Sequence, residues 1–310
     1  MQQYSDLAMG TGDYAIGWSN PLPAVNGSFH PAPCHSTRQE GRYVRMRLDR
    51  GATFSFRLSI YVVIFVVMAA IPASAAEVII AAASDLNFAF KELVSVFEQK
   101  TGDQVKLSLG SSGNFYSQIQ NGAPYDLYFS ADFRYPQQLV ENGQGVADSL
   151  YAYAIGRIVL WVPARSPIPV EQKGLEVLLD GSINKIAIAN PKHAPYGRAA
   201  VAALEKAGLY ERVKDRLVYG ENISQAAQFV ESGAADIGII ALSLALAPPM
   251  KAAGRYWEIP SDMHPPIEQG VVMLSGGKNR DKAKAFLSFL QSAEGQAVMT
   301  RYGFIAPVFR

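Results

Sequence analysis

Four short stretches carry the residues best suited to chemistry. They are Ala81-Ala82-Ala83-Ser84-Asp85, Leu109-Gly110-Ser111-Ser112-Gly113, Asn190-Pro191-Lys192-His193-Ala194-Pro195-Tyr196-Gly197 and Gly220-Glu221-Asn222-Ile223-Ser224. Each offers small residues, a hydroxyl or amide side chain, and backbone N–H groups where a helix is about to begin. The first turn of a helix leaves its N–H groups without intrahelical acceptors and carries partial positive charge. A helix start of this kind binds anions without needing a cationic side chain. The same residues are also ordinary helix caps. Spacing alone does not separate a serine that caps from one that binds.

The elements that must position these turns follow from periodicity. Glu77–Ala83 is a short apolar run, the pattern of a buried parallel strand. Leu86, Phe90, Leu93, Val94 and Phe97 then recur at helical spacing, with Ser84 or Asp85 as N-cap and Thr101-Gly102 as the stop. Strands are predicted over 105–109, 126–130, 185–189, 217–219, 237–240 and 270–274, and helices from Ser111-Ser112-Gly113, Pro136, Gly197 and Ser224. A last amphipathic helix carries Ala283, Phe286, Leu287 and Leu290. Strand–helix alternation of this kind predicts α/β lobes, each a mainly parallel sheet flanked by helices. The pattern restarts after the long run Tyr153–Val162, so two lobes are expected, with the chain crossing near 153–157 and again near 268–271. Residues 76–154 and 270–310 would form lobe 1, and 155–269 lobe 2. Ligands in such sheets sit beyond the carboxyl ends of the strands, in a cleft. That is where the four turns lie.

The N-terminal quarter has a different logic. Leu58–Ile71 is an apolar run of 14 residues after Arg47, Arg50 and Arg57, followed by Pro72-Ala73-Ser74-Ala75-Ala76. A positive segment, a short apolar core and a small-x-small site make a secretory signal over 46–75, and the run is short of the ~20 residues that span a bilayer. An uncleaved anchor is the other reading. N-terminal sequencing of the exported protein is expected to start at Ala76 or within two residues of it; an intact N-terminus in membranes would establish the anchor. Residues 1–45 are aperiodic and rich in Gly, Pro, Ser and Asn, and are read as a disordered extension or a misassigned start. From Ala76 on there are 22 Lys/Arg and 23 Asp/Glu, a net charge of −1, which offers no basic face for nucleic acid. The single cysteine, Cys34, cannot form an intrachain disulfide.

Ala81-Ala82-Ala83-Ser84, Gly110-Ser111-Ser112-Gly113, the block Asn121-Gly122-Ala123-Pro124-Tyr125-Asp126-Leu127-Tyr128-Phe129-Ser130-Ala131-Asp132, Asn190-Pro191 with Ala194-Pro195-Tyr196-Gly197, Gly233–Gly238 and Arg301–Phe304 together resemble the periplasmic molybdate-binding proteins. The resemblance runs in order from about Val78 to the C-terminus. It implies a two-lobed periplasmic-binding-protein fold that holds a tetrahedral oxyanion by hydroxyls and amides from both lobes. Carried over, Ser84 and Ser112 would give hydroxyls, Asp85 its amide with the carboxylate turned away, and Tyr196 and Ile223 amides from lobe 2. Only the amide of Tyr196 being assigned, Tyr196→Phe is expected to change little. A tyrosine that one branch of the family places after the strand 237–240 is absent; Ala241 stands there, and Ser243 is not taken as its replacement.

The resemblance further implies a monomeric periplasmic solute-binding protein. It would capture molybdate, and tungstate with it, and hand it to an ABC permease, with no cofactor, no directly coordinated metal ion and no catalysis. Sulfate is the alternative ligand. Phosphate would need an acceptor for its proton, and ferric sites in related proteins use adjacent tyrosines, which this sequence lacks. An esterase-like reading would pair Ser84 or Ser112 with His193, but no Gly-x-Ser-x-Gly elbow is present. His193 and Lys192 are expected in a surface loop.

Overall fold

The computed structural model describes residues 77–307. The signal segment, Cys34 and residues 1–45 lie outside the described residues. Two five-stranded sheets organise the rest.

The first sheet has the order β2-β1-β3-β10-β4, from β1 (Glu77–Ala83), β2 (Gln104–Gly110), β3 (Leu127–Ser130), β4 (Tyr151–Gly156) and β10 (Ile267–Met273). The second has the order β7-β6-β8-β5-β9, from β5 (Ile158–Pro163), β6 (Ile186–Ala189), β7 (Leu217–Gly220), β8 (Ile237–Ala241) and β9 (Gly254–Glu258). In each sheet the first three strands of the order are parallel, and the fourth, β10 or β5, runs against both its neighbours. Those two reversed strands are the ones that have just arrived from the other sheet. The exchange happens at Arg157, between β4 and β5, and over 259–266, between β9 and β10. The apolar run Tyr153–Val162 therefore holds two strands of different sheets rather than one.

Alternation along the first-sheet strands decides what covers each face. Ile80, Ala82, Leu127 and Phe129 point to one side and pack against α1 (Asn87–Thr101). Ala81, Tyr128 and Val272 point to the other, under Phe115 and Ile119 of α2 (Ser112–Gln120) and Leu139 of α3 (Arg134–Glu141). On the α1 side Phe90 meets Phe129 edge-on at 4.8 Å, and Phe97 meets Phe286 at 5.2 Å. The second sheet is covered by α4 (Pro195–Lys206) and α5 (Ile223–Glu231). The chain then returns, and α6 (Arg280–Gln291) and α7 (Ala293–Arg301) close the first core with Phe286, Leu290, Val298 and Met299.

This winding brings the carboxyl ends of β1, β2 and β3 to face those of β6 and β7, with α2, α4 and α5 starting in the gap.

Candidate oxyanion site

Between the two sets of strand ends lies a cavity with about 190 Å³ of empty space. The enclosed part of it is only about 10 Å³, far below the about 300–1,000 Å³ of drug-sized ligand pockets, so the closed cleft suits only a compact ligand. Its lining holds Ser84, Asp85, Ser112, Tyr196 and Ile223, all five residues expected from sequence. Ser111, Ala131 and Asn222 join them. Ala131 lies within the Phe129-Ser130-Ala131-Asp132 stretch, so a signal for it existed. A residue without a polar side chain gave no reason to pick it out.

What each hydroxyl does with its proton separates the serines. The Ser112 oxygen accepts the buried Ala131 N–H at 3.0 Å, and the Ser84 oxygen accepts the Ser224 N–H at 3.2 Å. Neither donates to a protein acceptor among the described residues, so each keeps its hydroxyl proton for a ligand. Ser111 differs, because its hydroxyl donates to the His193 carbonyl at 2.7 Å. Two helix starts add amides. Tyr196 follows Pro195 in the first turn of α4, and Ile223 is the first residue of α5. Asn222 caps α5 by accepting the Gln225 N–H, and Ser224 N–H goes to Ser84, which leaves the Ile223 amide unclaimed. Tyr196 N–H has no backbone acceptor either.

No cation lines the cavity. Its one acidic residue, Asp85, turns its carboxylate aside into a buried knot. Asp85 Oδ2 accepts from the Tyr196 hydroxyl at 2.9 Å and from Gln269 Nε2 at 2.7 Å. Gln269 Oε1 in turn accepts from the Tyr153 hydroxyl at 2.5 Å. Asp85 Oδ1 has no partner. Burial raises the Asp85 carboxyl from its ordinary 3.8 to about 6, against the lowering effect of the Gln269 and Tyr196 hydrogen bonds. The premise that the Tyr196 hydroxyl is idle is thus corrected. Removing it strips a buried carboxylate of one of its two side-chain donors, and Tyr196→Phe is expected to destabilise the closed cleft rather than be silent. The sequence reading missed this because Tyr196 and Asp85 are 111 positions apart.

The lobes are closed on each other. Gly113 N–H donates to the His193 carbonyl at 2.9 Å, Ser224 Oγ to the Ser84 carbonyl at 2.8 Å, and Ser243 Oγ to the Asp85 carbonyl at 2.7 Å. Arg198 on α4 reaches Asp132 after β3 at 2.6 Å. Burial pushes the Asp132 carboxyl up, but Arg134 and Arg198 together hold it below the ordinary carboxylate range. His193 is half-buried at this seam, its ring Nδ1 2.9 Å from Ser111 Oγ, while Lys192 is exposed. The loop expected to lie free at the surface therefore carries one residue of the clasp. Ser243 is spent on the clasp and does not line the cavity, and Ala241 is buried at the end of β8. Gly156, the last residue before the crossing, sits where a Cβ would fall 2.2 Å from the Tyr196 hydroxyl.

The family model for bacterial extracellular solute-binding protein matches residues 78–305. The molybdate-binding protein ModA of Rhodobacter capsulatus is 40% identical over 236 residues, covering 76% of this chain and 91% of its own length. ModA of Azotobacter vinelandii is 41% identical over 232 residues, with 75% and 91% covered. The solved periplasmic molybdate-binding protein of Azotobacter vinelandii superposes with a TM-score of 0.71 at 33% identity, over 74% of this chain and all of that one.

Proposed function

The chain belongs to the bacterial extracellular solute-binding protein family, and we propose that within it this protein captures molybdate between its lobes and delivers it to an ABC importer. The observation that carries this reading is the donor set. Two serine hydroxyls accept from backbone N–H groups and keep their own protons to offer, and helix-start amides stand across the gap from them. Burying a doubly charged anion is costly unless its oxygens are hydrogen-bonded. A wall that donates suits an anion that is fully deprotonated at neutral pH. Molybdate, tungstate and sulfate meet that condition, and monohydrogen phosphate brings a proton that needs an acceptor. The Asp85 carboxylate, occupied by Tyr196 and Gln269, is turned away from that task.

Size then distinguishes the remaining anions. A closed ring of donors fixed by strand ends and helix starts cannot shrink onto shorter bonds without strain. Tungstate therefore binds alongside molybdate and sulfate binds more weakly. The protein acts as a periplasmic monomer without catalysis, Ser84, Asp85, Ser112, Tyr196 and Ile223 holding the anion's oxygens and no protein atom touching its metal. Calorimetric titration of the mature protein with molybdate, tungstate, sulfate and phosphate tests the reading. The expected order is molybdate and tungstate first, sulfate well behind, phosphate last; a preference for sulfate or phosphate would overturn it.

A further inference from the structure

The Asp85 knot sits directly behind the proposed site and has an unusual electrostatic position. Asp85 is one of the residues that line the anion cavity, so its carboxyl is no more than a side chain away from a dianion. That carboxyl is fully buried and bridges the lobes, from the turn after β1 to Tyr196 on α4 and Gln269 on β10. The groups that face it are neutral. Tyr196 and Gln269 donate to it, Tyr153 on β4 stands behind Gln269, and Ser243 from the turn after β8 donates to the Asp85 carbonyl. From α5 the adjoining group is Ser224, again a hydroxyl. No lysine, arginine or histidine contacts the carboxyl among the described residues, and beyond Tyr196 and Gln269 only the nearby main-chain N–H groups of Asp85 and Leu86 steady it. A buried carboxylate is ordinarily paired or neutralised.

We propose that Asp85 couples anion capture to proton uptake: as the lobes close on the dianion, a proton from solvent moves onto the Asp85 carboxyl and stays there until the cleft reopens. This rests on the oxyanion reading above and adds a dependence on pH to it. The sign follows from linkage. With the cleft open the carboxyl meets water and titrates near its ordinary 3.8; closed, burial lifts it to about 6, and a neighbouring dianion lifts it further. A group whose pKa is higher in the closed state favours that state as pH falls. Affinity is therefore flat at alkaline pH, rises as pH falls through the closed-state value, and levels off near the open-state value.

The test is calorimetry of molybdate binding to the whole mature protein, in buffers of different ionisation enthalpy. At pH 6 the parent should take up about half a proton or more per anion bound, since the closed-state carboxyl is then half-protonated or better while the open one is ionised. Between about pH 7.5 and 5.5 the affinity should rise about fourfold or more. Asp85→Asn keeps the main-chain amide and should bind with proton uptake near zero. Tyr196→Phe removes a donor that steadies the ionised form, so its uptake should begin at higher pH; it serves equally if the asparagine variant does not fold. Histidines titrate in the same range, and His193→Gln should retain the uptake. Parent binding without uptake at pH 6, or uptake lost in His193→Gln and kept in Asp85→Asn, would overturn the coupling. A parent that gives no molybdate heat at any pH would instead overturn the oxyanion reading, and the coupling with it.

Discussion

Replacing Ser112 with alanine is expected to weaken molybdate binding by about 10–100-fold, and Ser84→Ala by a similar factor. A hydrogen bond to a charged group contributes roughly 1.5–3 kcal/mol, and about 1.4 kcal/mol is tenfold in affinity. The two variants should differ in stability. Ser112 Oγ is the acceptor for the buried Ala131 N–H inside lobe 1, so its loss also leaves that amide unpaired whether the cleft is open or closed. An orphaned buried donor costs about 1–3 kcal/mol, which should appear as a lower unfolding midpoint. Ser84 accepts from Ser224 across the cleft, a bond that exists only when the lobes meet. Ser84→Ala should therefore lose affinity with little change in unfolding. Ser111→Ala is the internal comparison. It removes a neutral clasp bond to His193 and no free proton, so a loss of only about 2–10-fold is expected. Parent-like affinity in both Ser84→Ala and Ser112→Ala would sink the donor assignment.

What the sequence disclosed and what it hid divide along a physical line. Local pattern locates the strand-to-helix turns; that Ser84, Asp85, Ser112, Tyr196 and Ile223 within them hold a ligand is what the family resemblance implies. That they line one cavity follows from winding, since parallel strands present their carboxyl ends to the same side. Gln269 was invisible: it lies within β10, between Glu268 and Gly270, and matters only because β10 passes beside the first turn of α4. The tyrosine hydroxyls of 153 and 196 were silent for the same reason. Strand sense was hidden too. Period-two alternation reads the same in either direction, so the reversal of β5 and β10 had no local mark. Gly156-Arg157 interrupts the Tyr153–Val162 run where the crossing was expected, near 153–157, and the two strands it separates belong to different sheets. There Arg157 donates to the Gly303 carbonyl at 3.0 Å and to Glu258 at 2.9 Å, holding the crossing point to a residue from each side.

Gly113→Ala should weaken molybdate binding by about 5- to 150-fold while leaving the unfolding midpoint unchanged or raised. A Cβ at this position would lie 2.8 Å from the His193 carbonyl oxygen and 3.0 Å from its Cα, and His193 belongs to the opposite lobe. The clash is with backbone, so no side-chain rotation relieves it. It exists only when the cleft is shut. In the open form the methyl faces water, and the residue is in the first turn of α2 with no left-handed backbone to forbid alanine. Alanine is a better helix former than glycine, so lobe 1 gains or holds its stability. The whole cost, roughly 1–3 kcal/mol for an overpacked contact, falls on closure. A ligand whose donors come from both lobes needs the closed form to engage them all, and its affinity drops by the same factor as closure. Solution scattering separates this from damage to the donors. The parent should compact on adding molybdate, and Gly113→Ala should compact only at correspondingly higher concentrations; Ser112→Ala should still show the parent's compact profile once saturated. If Gly113→Ala bound molybdate as tightly as the parent, the Gly113–His193 seam would have no part in capture.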